Sequence, residues 1–196
     1  MNWMALVLLV LIPLRLTAQD NSTPTVLSLH EMSMDLSPHG INANSCISVF
    51  ADGHFHIETR FQQLPQSYAT LHIYEASLDD FHMQRLRNLL DSSDIRHLPH
   101  YTHPVTPMGA SSISSVDVQI PREQVLQKIG YFMWDAQTAV PNQSPETTPK
   151  VIKEEWSAAR IVLIPLVQWF REVEGMKWPE VPISHSTLCE VAATSQ

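Results

Sequence analysis

Residues 45–59, SCISVFADGHFHIET, decide the fold, because two apolar-alternating runs meet at Asp52-Gly53. Such a pattern reads as a β-hairpin. A two-residue loop would pair Val49 with His56 and Ile47 with Glu58, mixing apolar and charged groups on both faces. A three-residue loop with Gly53 left-handed pairs Val49 with Phe55 and Ile47 with Ile57. That register gives one clean apolar face, so burial selects it. The opposite face then carries Cys46, Ser48, Phe50, His54, His56 and Glu58.

Outward from the hairpin, YATLHIYEA (68–76) reads as a further strand, with Ala69, Leu71 and Ile73 inward and Thr70, His72 and Tyr74 outward. Ser77 followed by Asp80 resembles a capping box, opening a helix to about Ser92 with Leu78, Phe81, Leu86, Leu89 and Leu90 as its buried stripe. Ile95 and Leu98 close a short turn beneath it. SVDVQI (115–120) and a segment at roughly 125–134 supply two more strands, joined at Pro121-Arg122. The Pro, Ser and Thr of residues 139–149 mark a linker. Thr148 and Pro149 then open a helix that ends at Gly175. Its apolar face runs through Trp156, Ala159, Val162, Leu163, Leu166, Trp169, Phe170 and Val173, with Pro165 expected to kink it. The expected architecture is one α+β domain, an antiparallel sheet of about five strands packed against two helices.

The N-terminus, MNWMALVLLVLIPLRLTAQDN, has an apolar run from Ala5 to Leu14, of signal-peptide length and too short for a membrane span. Cleavage is expected after Ala18. The expected divisions are 1–18 as signal peptide, 19–44 as a polar N-terminal segment, 45–175 as the α+β domain and 176–196 as a polar tail. Without residues 1–18 the chain has 11 basic and 20 acidic residues, a net charge of −9. An acidic chain with no basic stripe argues against nucleic acid and anionic membranes as partners. Ten histidines would bring that charge to +1 if all were protonated, so the surface charge is expected to depend on pH. Two cysteines, Cys46 and Cys189, are too few for a disulfide scaffold but enough for one bridge closing a loop of 142 intervening residues.

Cys46, Val49, Asp52, Gly53, Glu58, Leu78, Leu86, Leu89, Tyr101, Val116, Val118, Ile120 and Tyr131 follow an order that resembles a class of small exported bacterial domains with no assigned function. The match covers about residues 45–135. The second cysteine that some of these domains carry near the first is absent, which removes any shared cysteine chemistry. The resemblance implies an α+β fold and transfers no catalytic residues.

Two histidine clusters are candidate metal ligands. His54, His56 and Glu58 share one strand face, a convergent arrangement known for zinc and copper. They lack the further spacing of the cupin pattern, and a solvated or helix-covered polar sheet face is the expected reading, with a metal site as the alternative. In RHLPHYTHPV, residues 96–105, prolines bias the backbone toward an extended form that would align His97, His100 and His103. At a rise of ~3.1 Å per residue the outer α-carbons would stand about 19 Å apart, so a straight segment cannot close three ligands on one ion. A nucleophile elbow is absent, and the acidic pairs Asp79-Asp80 and Glu154-Glu155 sit in first helical turns, where the helix dipole explains them. The expected protein is an exported, periplasmic or secreted, non-catalytic domain of unknown function that needs no cofactor and binds a partner or ligand in the cell envelope. The alternative is a zinc- or copper-binding protein using surface histidines.

Overall fold

The computed structural model describes residues 23–66, 68–102, 112–135 and 150–186. Six antiparallel strands form one sheet: β1 (Thr25–Asp35), β2 (Ile41–Phe50), β3 (His54–Gln63), β4 (Thr70–Ser77), β5 (Ser112–Pro121) and β6 (Leu126–Asp135). Their spatial order is β4-β3-β2-β1-β5-β6. The chain therefore meanders through four strands, crosses from the β4 edge past the sheet, and adds a second hairpin beside β1. Helices α1 (Asp80–Leu90) and α2 (Ser93–Arg96) lie in that crossover, and α3 (Lys150–Glu174) follows β6.

The hairpin at residues 45–59 has the three-residue loop. Val49 pairs with Phe55, Ile47 with Ile57, Ser48 with His56 and Cys46 with Glu58. Gly53 has φ +86°, a conformation that side chains with a Cβ avoid. Cross-strand pairing carries the apolar row through the sheet: Leu29 lies beside Ile47 and Val118, and Val118 beside Ile129. Onto this face pack Met83, Leu86 and Leu90 of α1 and Ala159, Leu163, Leu166, Val167, Trp169, Phe170 and Val173 of α3, all buried in one cluster. Phe132 at the β6 edge meets Trp156 edge-on at 6.0 Å. Residues of α3 remain helical through Pro165, which is exposed.

Four expectations are corrected. The sheet has six strands rather than about five, because Thr25–Asp35 of the supposed polar segment is β1, with pairing partners on both sides, and β2 begins at Ile41. Only Leu27 and Leu29 of this strand are buried, and the half-buried polar residues Ser28, His30 and Glu31 between and beside them hid it. In β4 the inward set is reversed: Tyr74 and Ala76 pair with Ile57 and Phe55 toward the helices, while Ile73 sits beside Glu58 on the far face. The N-cap of α1 is Asp79, which accepts from the His82 amide, because Ser77 still pairs with His54 in the sheet. Phe81 is 66% exposed, not core. It lies about 200° around the helix from Met83, on the side away from Leu86 and Leu90.

Candidate functional site

Alternation sends every second residue of the strands to the face away from α1 and α3. There one row runs Ser28, Ser48, His56, Glu75, and the next runs His30, Cys46, Glu58, Ile73. These groups are mostly shielded from water: His56 is 6% exposed and Glu58 2%. A buried carboxylate is costly unless it is paired and hydrogen-bonded. Glu58 meets that need with Oε1 2.9 Å from His56 Nε2 and Oε2 accepting from the Ser186 hydroxyl at 3.0 Å. The other nitrogen of the same ring, Nδ1, lies 2.9 Å from Glu75 Oε1. An ionised carboxylate only accepts, so each of these contacts needs a proton either on the ring or on the carboxyl facing it. His185 Nδ1 is 3.5 Å from the same Glu75 oxygen. The His56 hydrogen bond holds the Glu75 carboxyl below its ordinary range, against the opposing effect of burial, and His185 adds to it.

Ser186 and His185 reach this face because the chain after α3 does not trail away. Trp178 stacks edge-on against Phe55 at 4.9 Å and donates Nε1–H to the Val173 carbonyl at 2.6 Å. Glu180 then bridges Tyr74, and the Val181 amide donates to the Ile73 carbonyl at 2.9 Å, extending the β4 edge by one contact. A 3-10 turn, Ile183–His185, brings the chain over the far face. Farther along that face Tyr101 lies over Gly130, where a Cβ would stand 2.9 Å from the ring. Burial, with Asp117 nearby, pushes the Tyr101 phenol pKa up.

Beside His56 a cavity of about 410 Å³ opens between sheet and tail, lined by Phe50, His54, Phe55, His56, Glu75, Ser184 and His185. A second hollow of about 970 Å³ lies between α2 and the β5–β6 turn, with Arg96, His100, Arg122 and Lys128 in its wall. Its arginines are already engaged within the fold. Arg122 donates to the Leu90 carbonyl at 2.8 Å and to Gln127 at 3.0 Å, and Arg96 to Asp91 at 2.6 Å.

The sequence candidates separate in space. His56 and Glu58 come together, but both nitrogens of His56 face carboxylates. His54 turns away, with Nδ1 3.0 Å from the exposed Ser77 hydroxyl. His97 caps α2, its Nδ1 2.6 Å from the Ser93 carbonyl, and His100 lines the second hollow. His103 lies outside the described residues. Among the described residues no three His, Cys, Asp or Glu side chains are grouped to hold a metal. Cys46 is disulfide-bonded, and the other cysteine of the chain, Cys189, lies outside the described residues. Glu75, His185 and Ser186 escaped sequence reasoning. Glu75 could have been found by extending the hairpin register one strand further, whereas nothing local marks the two tail residues. Among the described residues no helix is long and apolar enough to cross a membrane. No family model, curated protein or solved structure matches the chain.

Proposed function

We propose that this chain is an exported, non-catalytic binding domain whose ligand sits in the far-face pocket between β3, β4 and the tail. The observation that carries the reading is the 410 Å³ cavity, with the Phe50 side chain as apolar wall and His54, His56, Glu75 and His185 as polar wall. Sites for small molecules have this size and this mixture of apolar surface with a few positioned polar groups. The polar groups are fixed rather than poised for proton transfer. His56 spends both nitrogens on carboxylates, and Ser186 donates to Glu58 instead of to an imidazole. The serine–histidine side-chain contact of Ser77 with His54 is exposed, and among the described residues no carboxylate orients that ring. A nucleophile needs a base that is itself held in place. The ligand class that fits is a small molecule with an apolar body and a hydrogen-bonding head.

Export is supported by the apolar run at residues 5–14 and by the disulfide at Cys46, a bond that persists in oxidising compartments. Its partner in this reading is Cys189, only three residues beyond Ser186, which already touches the cross-strand neighbour of Cys46. Mass spectrometry of protein recovered outside the cytoplasm should find an N-terminus at Gln19 and a Cys46–Cys189 cross-linked peptide. An N-terminus at Met1, or two free thiols in unfolded monomer, would overturn these two points. For the site, fragment screening by imidazole NMR should yield compounds that shift His54, His56 and His185 together. Fragments that cluster elsewhere and leave these rings unmoved would reject the pocket.

A further inference from the structure

The larger hollow, about 970 Å³ between α2 and the β5–β6 turn, reverses the sign of the chain around it. The whole chain has 12 basic and 20 acidic residues, yet three of the 12, Arg96, Arg122 and Lys128, meet in this one wall. The wall itself holds a single acid, the exposed Glu123. Outside it Asp91 is divided between two guanidinium groups, its Oδ1 2.6 Å from Arg96 Nη2 and 3.8 Å from Arg122 Nη1. The Lys128 ammonium has no hydrogen bond or ion pair among the described residues. Burial, and the charge of Arg96 beside it, lower the Arg122 guanidinium from its ordinary value although Asp91 opposes them. The cations outnumber their partners.

The hydrogen bonds that engage these groups also fix the shape of the hollow. Arg122 donates from Nη2 to the Leu90 carbonyl and from Nε to Gln127, which spends its own Nε2 on the Ile95 carbonyl at 2.8 Å. The Tyr101 amide donates to the Lys128 carbonyl at 2.9 Å. The turn and β6 are thereby clipped to the α1–α2 segment. Arg122 Nη1 makes no hydrogen bond among the described residues, and the Arg96 side chain is 53% exposed. A guanidinium already held by the fold loses little further freedom when a ligand arrives. Apolar surface adjoins the charge: Leu98 lines the same hollow, and Leu126 and Val125 are 45% and 65% exposed.

We propose that this hollow binds a small soluble anion with an apolar body, its carboxylate or phosphate head between Arg96, Arg122 and Lys128 and its body against Leu98 and Leu126.

Such a head supplies the counter-charge that Asp91 divides between two arginines, and the planar fork of a guanidinium fits either kind of head. The volume lies within the range of small-molecule sites. A bare inorganic anion would leave the apolar surface unused. An anionic bilayer offers the same head-group chemistry, but the chain's net charge of −8 repels such a surface. The site shares no wall residue with the pocket beside His56 and does not rest on that reading.

Titration of the full chain, disulfide intact, with hexanoate, hexyl phosphate, hexanol and hexylammonium at fixed ionic strength tests the site by NMR. Hexanoate and hexyl phosphate should shift the Arg122 Nε–H and the Leu98 and Leu126 amides, and bind at least about tenfold tighter than hexanol. Lys128→Glu alters a side chain that holds nothing in the fold, and should weaken both anions at least about tenfold while α1 amide shifts stay put. Arg96→Gln should weaken them in the same direction. Hexanol or hexylammonium binding as tightly as hexanoate overturns the proposal, as does unchanged anion affinity in Lys128→Glu. Inorganic phosphate binding as tightly as hexyl phosphate removes the apolar body and overturns it too. Retention by phosphatidylglycerol vesicles with no binding of the soluble probes overturns it in favour of a bilayer surface.

Discussion

Both faces of the sheet bury side chains, and they do so by different chemistry. Toward α1 and α3 the strands present Leu27, Leu29, Ile47, Val49, Phe55 and Ile57, each at most 1% exposed, against Trp169, Phe170 and Leu166. From the same strands, one residue along, come Ser48, beside the Ser28 hydroxyl of β1, and His56 and Glu58, which are buried and joined by hydrogen bonds to each other, to Glu75 of β4 and to Ser186 of the tail. Apolar burial is non-directional and tolerates approximate fit, while a buried ion pair repays its desolvation only when every partner is in place. The helix face therefore supplies stability, and the far face supplies a specific and breakable closure.

The sharpest test of that contrast is truncation on each side. Trp169→Ala removes a fully buried indole from the apolar cluster and should cost about 3–5 kcal/mol in urea unfolding. On the far face, His56→Ala should cost about 3 kcal/mol, because it leaves Glu58 and Glu75 facing each other without a shared donor. The triple change His56→Leu/Glu58→Leu/Glu75→Leu should be less destabilising than His56→Ala alone. If the triple variant proves the worse of the two, the far face is contributing net stability and the contrast drawn here is wrong.

Smaller effects refine the picture. Gly53→Ala should cost about 1 kcal/mol, entirely through the positive φ, since the added Cβ would meet nothing closer than the Leu78 carbonyl at 3.7 Å. A neutral result would mean the turn relaxes and the register is not pinned there. The smallest effect concerns acid. Glu75 has its pKa lowered in the fold, chiefly by His56, so its share of stability is present above its ordinary value of 4.5 and is lost as pH falls through the lower folded value. Denaturant midpoints measured below that pH should fall less steeply for Glu75→Gln than for the parent. Identical slopes would remove Glu75 from the closure.

The hairpin register was legible because residues 45–59 alternate cleanly and only one pairing buries one kind of residue on one side. The α3 stripe was legible for a parallel reason, a long run with an apolar period of 3.6. β1 was not. Its Leu27 and Leu29 are flanked by Ser28, His30 and Glu31, and local polarity outweighed a short alternation until β2 and β5 paired with it from both sides. The same ambiguity inverted the faces of β4, where Ile73 and Tyr74 both find cover and alternation alone cannot say which side holds the helices.

By itself the sequence determined the elements whose periodicity depends only on near neighbours: the Asp52-Gly53 turn, the Leu-rich and Trp-rich helices, and the placing of His56 and Glu58 on one strand face. Tertiary structure alone decided that His56 would be clamped by Glu58 and Glu75, and that Ser186, 128 residues from Glu58, would complete the cluster. The reason is physical. A hydrogen bond between a strand and a distant tail leaves no period in the chain, and it exists only where the packed fold turns the tail around the sheet edge.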